Sequence, residues 1–201
     1  MAFKSKAKKI MRFLMDKDYR FLVLSGLGWK KNMPAEQFLK RMYAIQIGRE
    51  LNLDDPITYT EKLQWLKLYD HRLEYTTMVD KYTAKQYVAQ KIGEQYVIPL
   101  LGVWENADKI DFAMLPNQFV LKATHDSGTI VICKDKAQLD IDATKKKLNY
   151  FLKRKYYDCN REWPYKNVKP RIIAEPYMED SKYKELRDYK FFTFGGVPKV
   201  L

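Results

Sequence analysis

The sequence is poor in cysteine and histidine, and it has no long hydrophobic run. Two cysteines, Cys133 and Cys159, and two histidines among 201 residues exclude a disulfide-rich scaffold and the paired spacings of zinc sites. No apolar run reaches the roughly 18 residues that a membrane-spanning helix needs. No small-residue cleavage site follows the basic N-terminus, as it would in a signal peptide. We therefore expect the chain to work in the reducing cytoplasm.

Positive charge is concentrated in two parts of a chain whose net charge is +12. Residues 1–12 hold five Lys or Arg, and residues 145–171 hold ten against two acids. Such uneven charge indicates a polyanionic partner, for which we expect a nucleotide, an acidic glycan, a lipid-linked sugar precursor or an anionic membrane. Zinc-finger, RNA-binding and helix-turn-helix patterns are missing, so we expect no nucleic-acid partner. For Lys145–Lys147 the favoured interpretation is the solvated face of a helix.

The basic N-terminal segment is predicted to form an amphipathic helix. One interpretation places this helix peripherally on an anionic membrane, at its inner face. The other, which the sequence favours, is a plain solvated helix.

Helical patterns come first along the chain and strand patterns follow. Residues 1 to about 50 show helical spacing of apolar side chains. Thr58 and Glu61 form a capping box that predicts a helix over about 59–69. Asp80 is predicted to cap a further helix that ends at Gly93 and turns Tyr82, Val88 and Ile92 inward, and a helix is expected to start at Asp140 or Asp142 and run to about 156. Strands are predicted at 97–104, 119–121, 130–133, 171–178, 189–194 and 197–201. The fold class that follows is α+β.

The segment from Phe119 to Cys133 combines two apolar strands with a short polar loop. Lys122 stands where the first strand ends, and Ser127, Gly128 and Thr129 lie in the loop. Backbone N–H groups of a glycine-containing turn, hydroxyl donors and one fixed positive charge suit a phosphate. The alternative is an ordinary hairpin with a polar turn.

Several segments at these spacings resemble one family. They are Thr60-Glu-Lys-Leu-Gln-Trp-Leu-Lys-Leu-Tyr-Asp70, Asp80-Lys81-Tyr82, the segment 119–133, Arg171-Ile-Ile-Ala-Glu175-Pro-Tyr-Met178 and Asp188-Tyr-Lys190-Phe-Phe-Thr-Phe-Gly195. Together they resemble the ATP-grasp proteins of the teichuronopeptide-biosynthesis type, which occur in bacterial surface-polysaccharide gene clusters. The resemblance covers about residues 50–201, and some members of the family are labelled glycosyltransferases.

The resemblance implies a helical N-terminal region (1–78), a lid-like subdomain with an antiparallel sheet (79–174) and the start of the large ATP-grasp subdomain (175–201). It also implies an ATP site. The residues that it assigns to this site are Lys81, Lys122, His125, Ser127, Gly128, Thr129, Glu175, Tyr177, Met178, Asp188 and Lys190. In this assignment Lys81 and Lys122 contact phosphates, residues 125–129 close over them, residues 175–178 contact adenine, and Asp188 holds the ribose. Alternation along 189–194 would put Lys190 on the same face as Asp188.

The same resemblance implies a reaction and a second cofactor. ATP would activate a carboxylate as an acyl phosphate, and an amine would then form an amide, for instance between an amino acid and a uronic-acid sugar. The required Mg²⁺ is expected on strands beyond Leu201, so we expect an incomplete ATP-grasp fold whose intact form is the enzyme.

Three alternatives remain open on the residues themselves. Asp140-Ile-Asp142 has the Asp-x-Asp form that some nucleotide-sugar glycosyltransferases use, unless the two acids cap a helix. A non-catalytic basic binding module predicts that Lys81, Lys122 and Lys190 point in unrelated directions. For two single residues the alternative is a structural role. Glu175 could serve merely to pair with Arg171 or Arg187, and His125 could be a loop histidine that bonds its own backbone.

Overall fold

The computed structural model describes residues 2–180, 182 and 188–200, with side chains from residue 7 onward. Within these residues the helices are α1 (Ala2–Met15), α2 (Lys17–Gly26), α3 (Ala35–Ile47), α4 (Tyr59–Tyr69), α5 (Leu73–Val79), α6 (Thr83–Ile92), α7 (Ile141–Leu152) and α8 (Tyr157–Asn160). The strands are β1 (Gly102–Trp104), β2 (Phe119–Ala123), β3 (Ile130–Cys133), β4 (Ile172–Pro176), β5 (Phe192–Phe194) and β6 (Val197–Val200).

The strands form one four-stranded sheet and one separate hairpin. The sheet has the order β1-β4-β2-β3, and every neighbouring pair in it is antiparallel. Strands β5 and β6 pair only with each other among the described residues. Helices with antiparallel sheets confirm the α+β class. The proposed division at residues 78 and 174 stays a prediction.

Local sequence signals explain several element boundaries. Helix α4 spans the predicted residues because Thr58 N–H donates to Glu61 Oε2 at 2.8 Å and the Thr58 hydroxyl oxygen accepts from Glu61 N–H, as in a capping box. Helix α7 begins after Asp140, whose carboxylate accepts from Ala143 N–H at 2.9 Å. It ends at Leu152 rather than near 156, because a separate helical turn, α8, follows.

Other boundaries differ from the prediction. The strand expected over 97–104 is limited to β1, because only residues 102–104 pair with β4 and Pro99 has no N–H to pair. Strand β4 ends at Pro176, and β5 starts only at Phe192. Ile92 is exposed, so its predicted inward orientation is wrong.

The interior holds two apolar clusters. One lies between the sheet and α7 and includes Phe119, Leu121, Leu148 and Ile172, each fully buried. The other joins α2 and α3 to the segment 51–53 around Phe38. Burial of this kind supplies most of the stability of a small domain. None of the described helices is both long and apolar enough to cross a bilayer.

Arg161 connects the helical cluster to the C-terminal half. Its guanidinium lies 4.3 Å over the ring of Phe38 and donates to the backbone oxygens of Lys30 (2.7 Å) and Asp158 (2.6 Å). The side chain is 1% exposed. A buried cation with this many acceptors is a structural group rather than part of a basic surface.

Candidate functional site

The two faces of the four-stranded sheet differ in what covers them. Side chains alternate along each strand, and the register puts Phe119, Leu121 and Ala174 on one face, here called the closed face, which packs on α7. The opposite face, here called the open face, carries seven side chains. They are Val103, Val120, Lys122, Ile130, Ile132, Ile173 and Glu175. Ile130 and Ile132 are 39% and 53% exposed, so part of this apolar surface is uncovered.

A buried carboxylate organises the charges on the open face. Glu175 Oε2 accepts from Lys122 Nζ at 2.5 Å, and Oε1 pairs with Lys85 Nζ at 2.6 Å. Arg171, one of the two arginines considered from the sequence, pairs with Asp80 instead, and Arg187 lies outside the described residues. Lys81 is near enough to interact electrostatically with Lys122 and Glu175. We call Lys81, Lys85 and Lys122 the lysine cluster; two of its ammonium groups pair with Glu175, and that of Lys81 binds backbone oxygens nearby.

Burial and neighbouring charges shift the pKa values of Glu175 and Lys81. Burial works to raise the pKa of Glu175, but the hydrogen bonds from Lys122 and Lys85 hold it below its usual range. Burial lowers the pKa of Lys81, and the positive charge of Lys122 lowers it further against the opposing effect of Asp126. A further anion at this place would therefore be stabilised by the lysines already there.

Lys81 holds the loop between β2 and β3 in place. Its ammonium group donates to the backbone oxygens of Ala123, at 2.9 Å, and of Asp126, and its N–H donates to Thr124 O at 3.3 Å. The Thr129 hydroxyl donates to the Asp126 carboxylate within the same loop. The loop is thus tied to the start of α6 by one side chain that binds carbonyl oxygens.

Only the tip of this loop faces outward. Ser127 and Gly128 are exposed, and Gly128 has a φ of +106°, in the region that favours glycine. Thr129 is buried. His125 is also buried, and its Nε2 lies 3.1 Å from Phe151 O at the end of α7. Its interaction with its own backbone, considered from the sequence, is therefore wrong, because the partner belongs to another element.

The remaining predicted residues lie away from the lysine cluster or at its edge. Tyr177 donates its hydroxyl to Glu179 Oε2 at 3.0 Å, and Met178 is 47% exposed just after β4. Asp188 and Lys190 are exposed on the segment before β5, and neither bonds to the cluster among the described residues. Strand pairing begins two residues after Lys190, so the strand predicted from residue 189 starts too early, and the shared face of Asp188 and Lys190 stays a prediction.

Two contributors were missed from the sequence. Lys85 lies in the first turn of α6, four residues after Lys81. In a helix this spacing puts two side chains on the same face, and it could have indicated that Lys85 joins Lys81. Arg171 Nη1 donates to Asp80 Oδ2 at 3.1 Å, which joins the start of β4 to the turn before α6. Asp80 was predicted to cap α6; instead it follows α5 and accepts from Tyr82 N–H at 3.1 Å in the intervening turn.

Two other features are separate from this site. Asp140 caps α7, so Asp140-Ile-Asp142 opens a surface helix and does not end a strand. A cavity of about 780 Å³ between α6 and residues 94–100 shares Lys85 with the cluster but is lined by neither Lys122 nor Glu175. The charges, rather than the cavity volume, therefore locate the candidate site.

Comparison with known proteins agrees with the motifs. The model of the family described as TupA-like ATPgrasp matches residues 61–201. No curated protein and no solved structure matches the chain. ATP-grasp proteins generally bind ATP and Mg²⁺. The family match covers the lysine cluster, Glu175 and the loop 124–129, and it extends over more than half of the sequence; the chain belongs to the TupA-like ATP-grasp family.

Proposed function

We propose that the open face of the sheet binds ATP, with the phosphates at the lysine cluster. The observation that carries this proposal is that Lys85 and Lys122 share the carboxylate of Glu175, with Lys81 close enough to interact with Lys122 and Glu175. Lys81 also interacts with Asp126 and Asp80, whereas Lys85 and Lys122 face only the carboxylate of Glu175, so that this pair of lysines leaves one positive charge for a polyphosphate. A non-catalytic binding module would not require Lys81 and Lys122 to meet.

The three lysines are suited to different tasks. Lys122 is the more accessible of the two lysines that pair with Glu175, because 30% of its side chain is exposed against 16% for Lys85. In our proposal Lys122 exchanges Glu175 for a phosphate oxygen, while Lys85 stays on Glu175 and on Ile98 O, which it reaches at 2.7 Å. Lys81 keeps the loop in position, so that the backbone of the exposed residues Ser127 and Gly128 can donate to the same phosphates.

The apolar part of the open face has a role in the same proposal. Ile130 and Ile132 offer a partly uncovered surface next to the cations, which suits a flat, largely apolar purine ring. Tyr177, Met178, Asp188 and Lys190 stay predicted base, ribose and nucleotide contacts. Among the described residues none of these four side chains bonds to the lysine cluster, so their roles rest on the family resemblance alone.

We propose further that the reaction is that of a carboxylate–amine ligase in bacterial surface-polysaccharide biosynthesis. A carboxylate oxygen of the substrate would attack the γ-phosphorus, ADP would leave, and an amine would displace phosphate from the acyl carbon with loss of a proton. Positioning and charge stabilisation dominate catalysis of phosphoryl transfer, which is the task the lysines suit. Among the described residues no three His, Cys, Asp or Glu side chains could hold a metal ion together, so we derive no step through Mg²⁺.

The alternatives have less support. The nucleotide-sugar glycosyltransferase rested on Asp140 and Asp142, and Asp140 is occupied in capping α7. An acidic glycan or a lipid-linked sugar precursor on residues 145–171 stays a prediction. Part of the charge there is used internally, because Arg161 is buried and Lys169 and Arg171 are paired with Glu105 and Asp80.

Calorimetric titration with Mg-ATP tests the proposed site. We expect saturable binding by the wild type and at least a tenfold loss of affinity in Lys122→Ala, as removal of a charged hydrogen bond costs about 1.5–3 kcal/mol. Lys62→Ala, on the exposed side of α4, is the matched control and should bind like the wild type. Equal affinity of Lys122→Ala and Lys62→Ala would refute the assignment.

A further inference from the structure

Helix α1 carries an apolar stripe on its solvent side. Ile10, Met11 and Leu14 lie on one face of the helix, by their spacing of one, three and four residues, and are 62%, 63% and 62% exposed. Lys8, Lys9 and Arg12 lie toward the other face and are exposed as well. With Met15, which is 78% exposed, four large apolar side chains of this one helix lie in water, which is unusual unless something covers them.

The attachment of α1 leaves this stripe free. Asp16, between the two helices, caps α2 by accepting from the N–H groups of Asp18 and Tyr19, each at 2.9 Å. Arg20 Nη1 donates to the backbone oxygens of Leu14, at 2.9 Å, and Phe13, at 3.3 Å. Phe13 is half-buried whereas Ile10, Met11 and Leu14 are exposed, so the stripe is not part of the packing between these helices.

The charge of α1 decides whether a second copy of the chain or a lipid surface covers the apolar stripe. Residues 1–15 contain five Lys or Arg and no acid. A second copy of the chain on the same stripe would bring five positive charges against five, which like-charge repulsion opposes. An anionic lipid surface is complementary to both sides of the helix, since apolar side chains enter the acyl boundary while lysines meet phosphate groups.

We propose that α1 lies in the interface of an anionic phospholipid bilayer, with Ile10, Met11 and Leu14 buried and Lys8 and Lys9 at the headgroups. Arg12 has a smaller part, because it pairs with Asp16 at 3.2 Å and lies over the ring of Tyr19. Helix α1 precedes residues 61–201, the part that matches the ATP-grasp family, so this property goes beyond the proposed ligase function. It would hold the chain, and with it the proposed nucleotide site, at a membrane.

Flotation of the full chain with lipid vesicles tests this proposal. We expect it to bind vesicles of equal parts phosphatidylglycerol and phosphatidylcholine, and to bind pure phosphatidylcholine far more weakly. Ile10→Gln with Leu14→Gln keeps the charge and should weaken binding at least about tenfold, because buried apolar area is lost. Lys8→Gln with Lys9→Gln should weaken it about 25-fold, at roughly fivefold for each basic residue near the surface.

Matched double variants control for general effects. Met114→Gln with Leu73→Gln removes two exposed apolar side chains elsewhere, and Lys62→Gln with Lys146→Gln removes two exposed lysines. Both should bind vesicles like the wild type, and circular dichroism should show that all variants are folded. The proposal is overturned if the wild type stays off anionic vesicles, or if the α1 variants bind as their controls do. It is also overturned if light scattering finds a dimer that only Ile10→Gln with Leu14→Gln abolishes, since a second copy would then cover the stripe.

Discussion

The two faces of the four-stranded sheet are built from the same strands and have different tasks. On the closed face Phe119, Leu121 and Ala174 are fully buried against the α7 side. On the open face the residues between them include Lys122 and Glu175, with half-exposed isoleucines beside them. One strand therefore supplies packing from every second residue and charge from the others, which is how a small sheet can combine stability with a binding surface.

The two faces also differ in how a buried side chain is stabilised. Leu121 is stabilised by the apolar area it removes from water. Glu175 is almost as buried, and it depends on two ammonium groups that occupy both of its oxygens. Changes on the closed face should therefore act on folding, whereas changes on the open face should act on charge and binding.

The largest expected effect concerns stability on the closed face. Leu121→Ala should lower the free energy of unfolding by about 2–5 kcal/mol, because it leaves a cavity in the core. Ile132→Ala, on the half-exposed part of the open face, should cost less than about 1 kcal/mol, since little of its area is buried. Urea denaturation of both variants measures the contrast, and equal losses would show that the open face is part of the core.

The second effect concerns the buried carboxylate. Glu175→Gln should lower the free energy of unfolding by about 2–3 kcal/mol, because it leaves Lys85 and Lys122 without their counter-charge. Glu105→Gln is the matched control, as Glu105 pairs with Lys169 on the surface and should change stability little. Thermal unfolding of the two variants side by side would contradict the account if they were equally stable.

The third effect tests the helix that covers the closed face. Asp140→Ala should cost about 1 kcal/mol of stability, because the Ala143 N–H at the start of α7 loses its acceptor. Affinity for Mg-ATP should stay that of the wild type. A loss of nucleotide affinity without a loss of stability would instead indicate that Asp140 contacts the nucleotide. Asp142→Ala, which removes no capping hydrogen bond, is the matched control.

The smallest effect is a pH dependence. The pKa of Glu175 is held below its usual range in the folded chain, so its ion pairs stabilise the fold above about pH 4.5, the range where the unfolded group is charged. This contribution is lost as the pH falls through the lowered folded pKa. The stability difference between wild type and Glu175→Gln should therefore shrink in acid, and denaturation curves at several pH values would measure it. A difference that stayed constant down to acid pH would mean that the Glu175 charge is not what stabilises the fold.

Local signals allowed part of the fold to be predicted from the sequence. The capping box at Thr58 and Glu61 fixed the bounds of α4, and the apolar runs around Lys122 indicated β2 and β3. Each of these signals acts within a few residues. Strand β1 was predicted too long because its pairing depends on β4, about 70 residues away, and only three of its residues meet that partner.

The site could be predicted only in part, for the same reason. The phosphate-like loop pointed to Lys122, and the family resemblance pointed to Lys81 and Glu175, which the structure brings together with it. Lys85 joins them because α6 lies where its lysine reaches Glu175 and Ile98 O. The burial of His125 arises from α7, whose last turn supplies Phe151 O, and no pattern near residue 125 indicates that contact.

The most direct test of the open face as the nucleotide site is lysine footprinting with and without Mg-ATP. Acetylation rates read by mass spectrometry would compare Lys122 on the open face with Lys146, an exposed lysine of α7 on the closed side. The account predicts that saturating Mg-ATP slows acetylation of Lys122 strongly and leaves Lys146 unchanged. Saturable ATP binding with an unchanged rate at Lys122, or with protection at Lys146 instead, would contradict it.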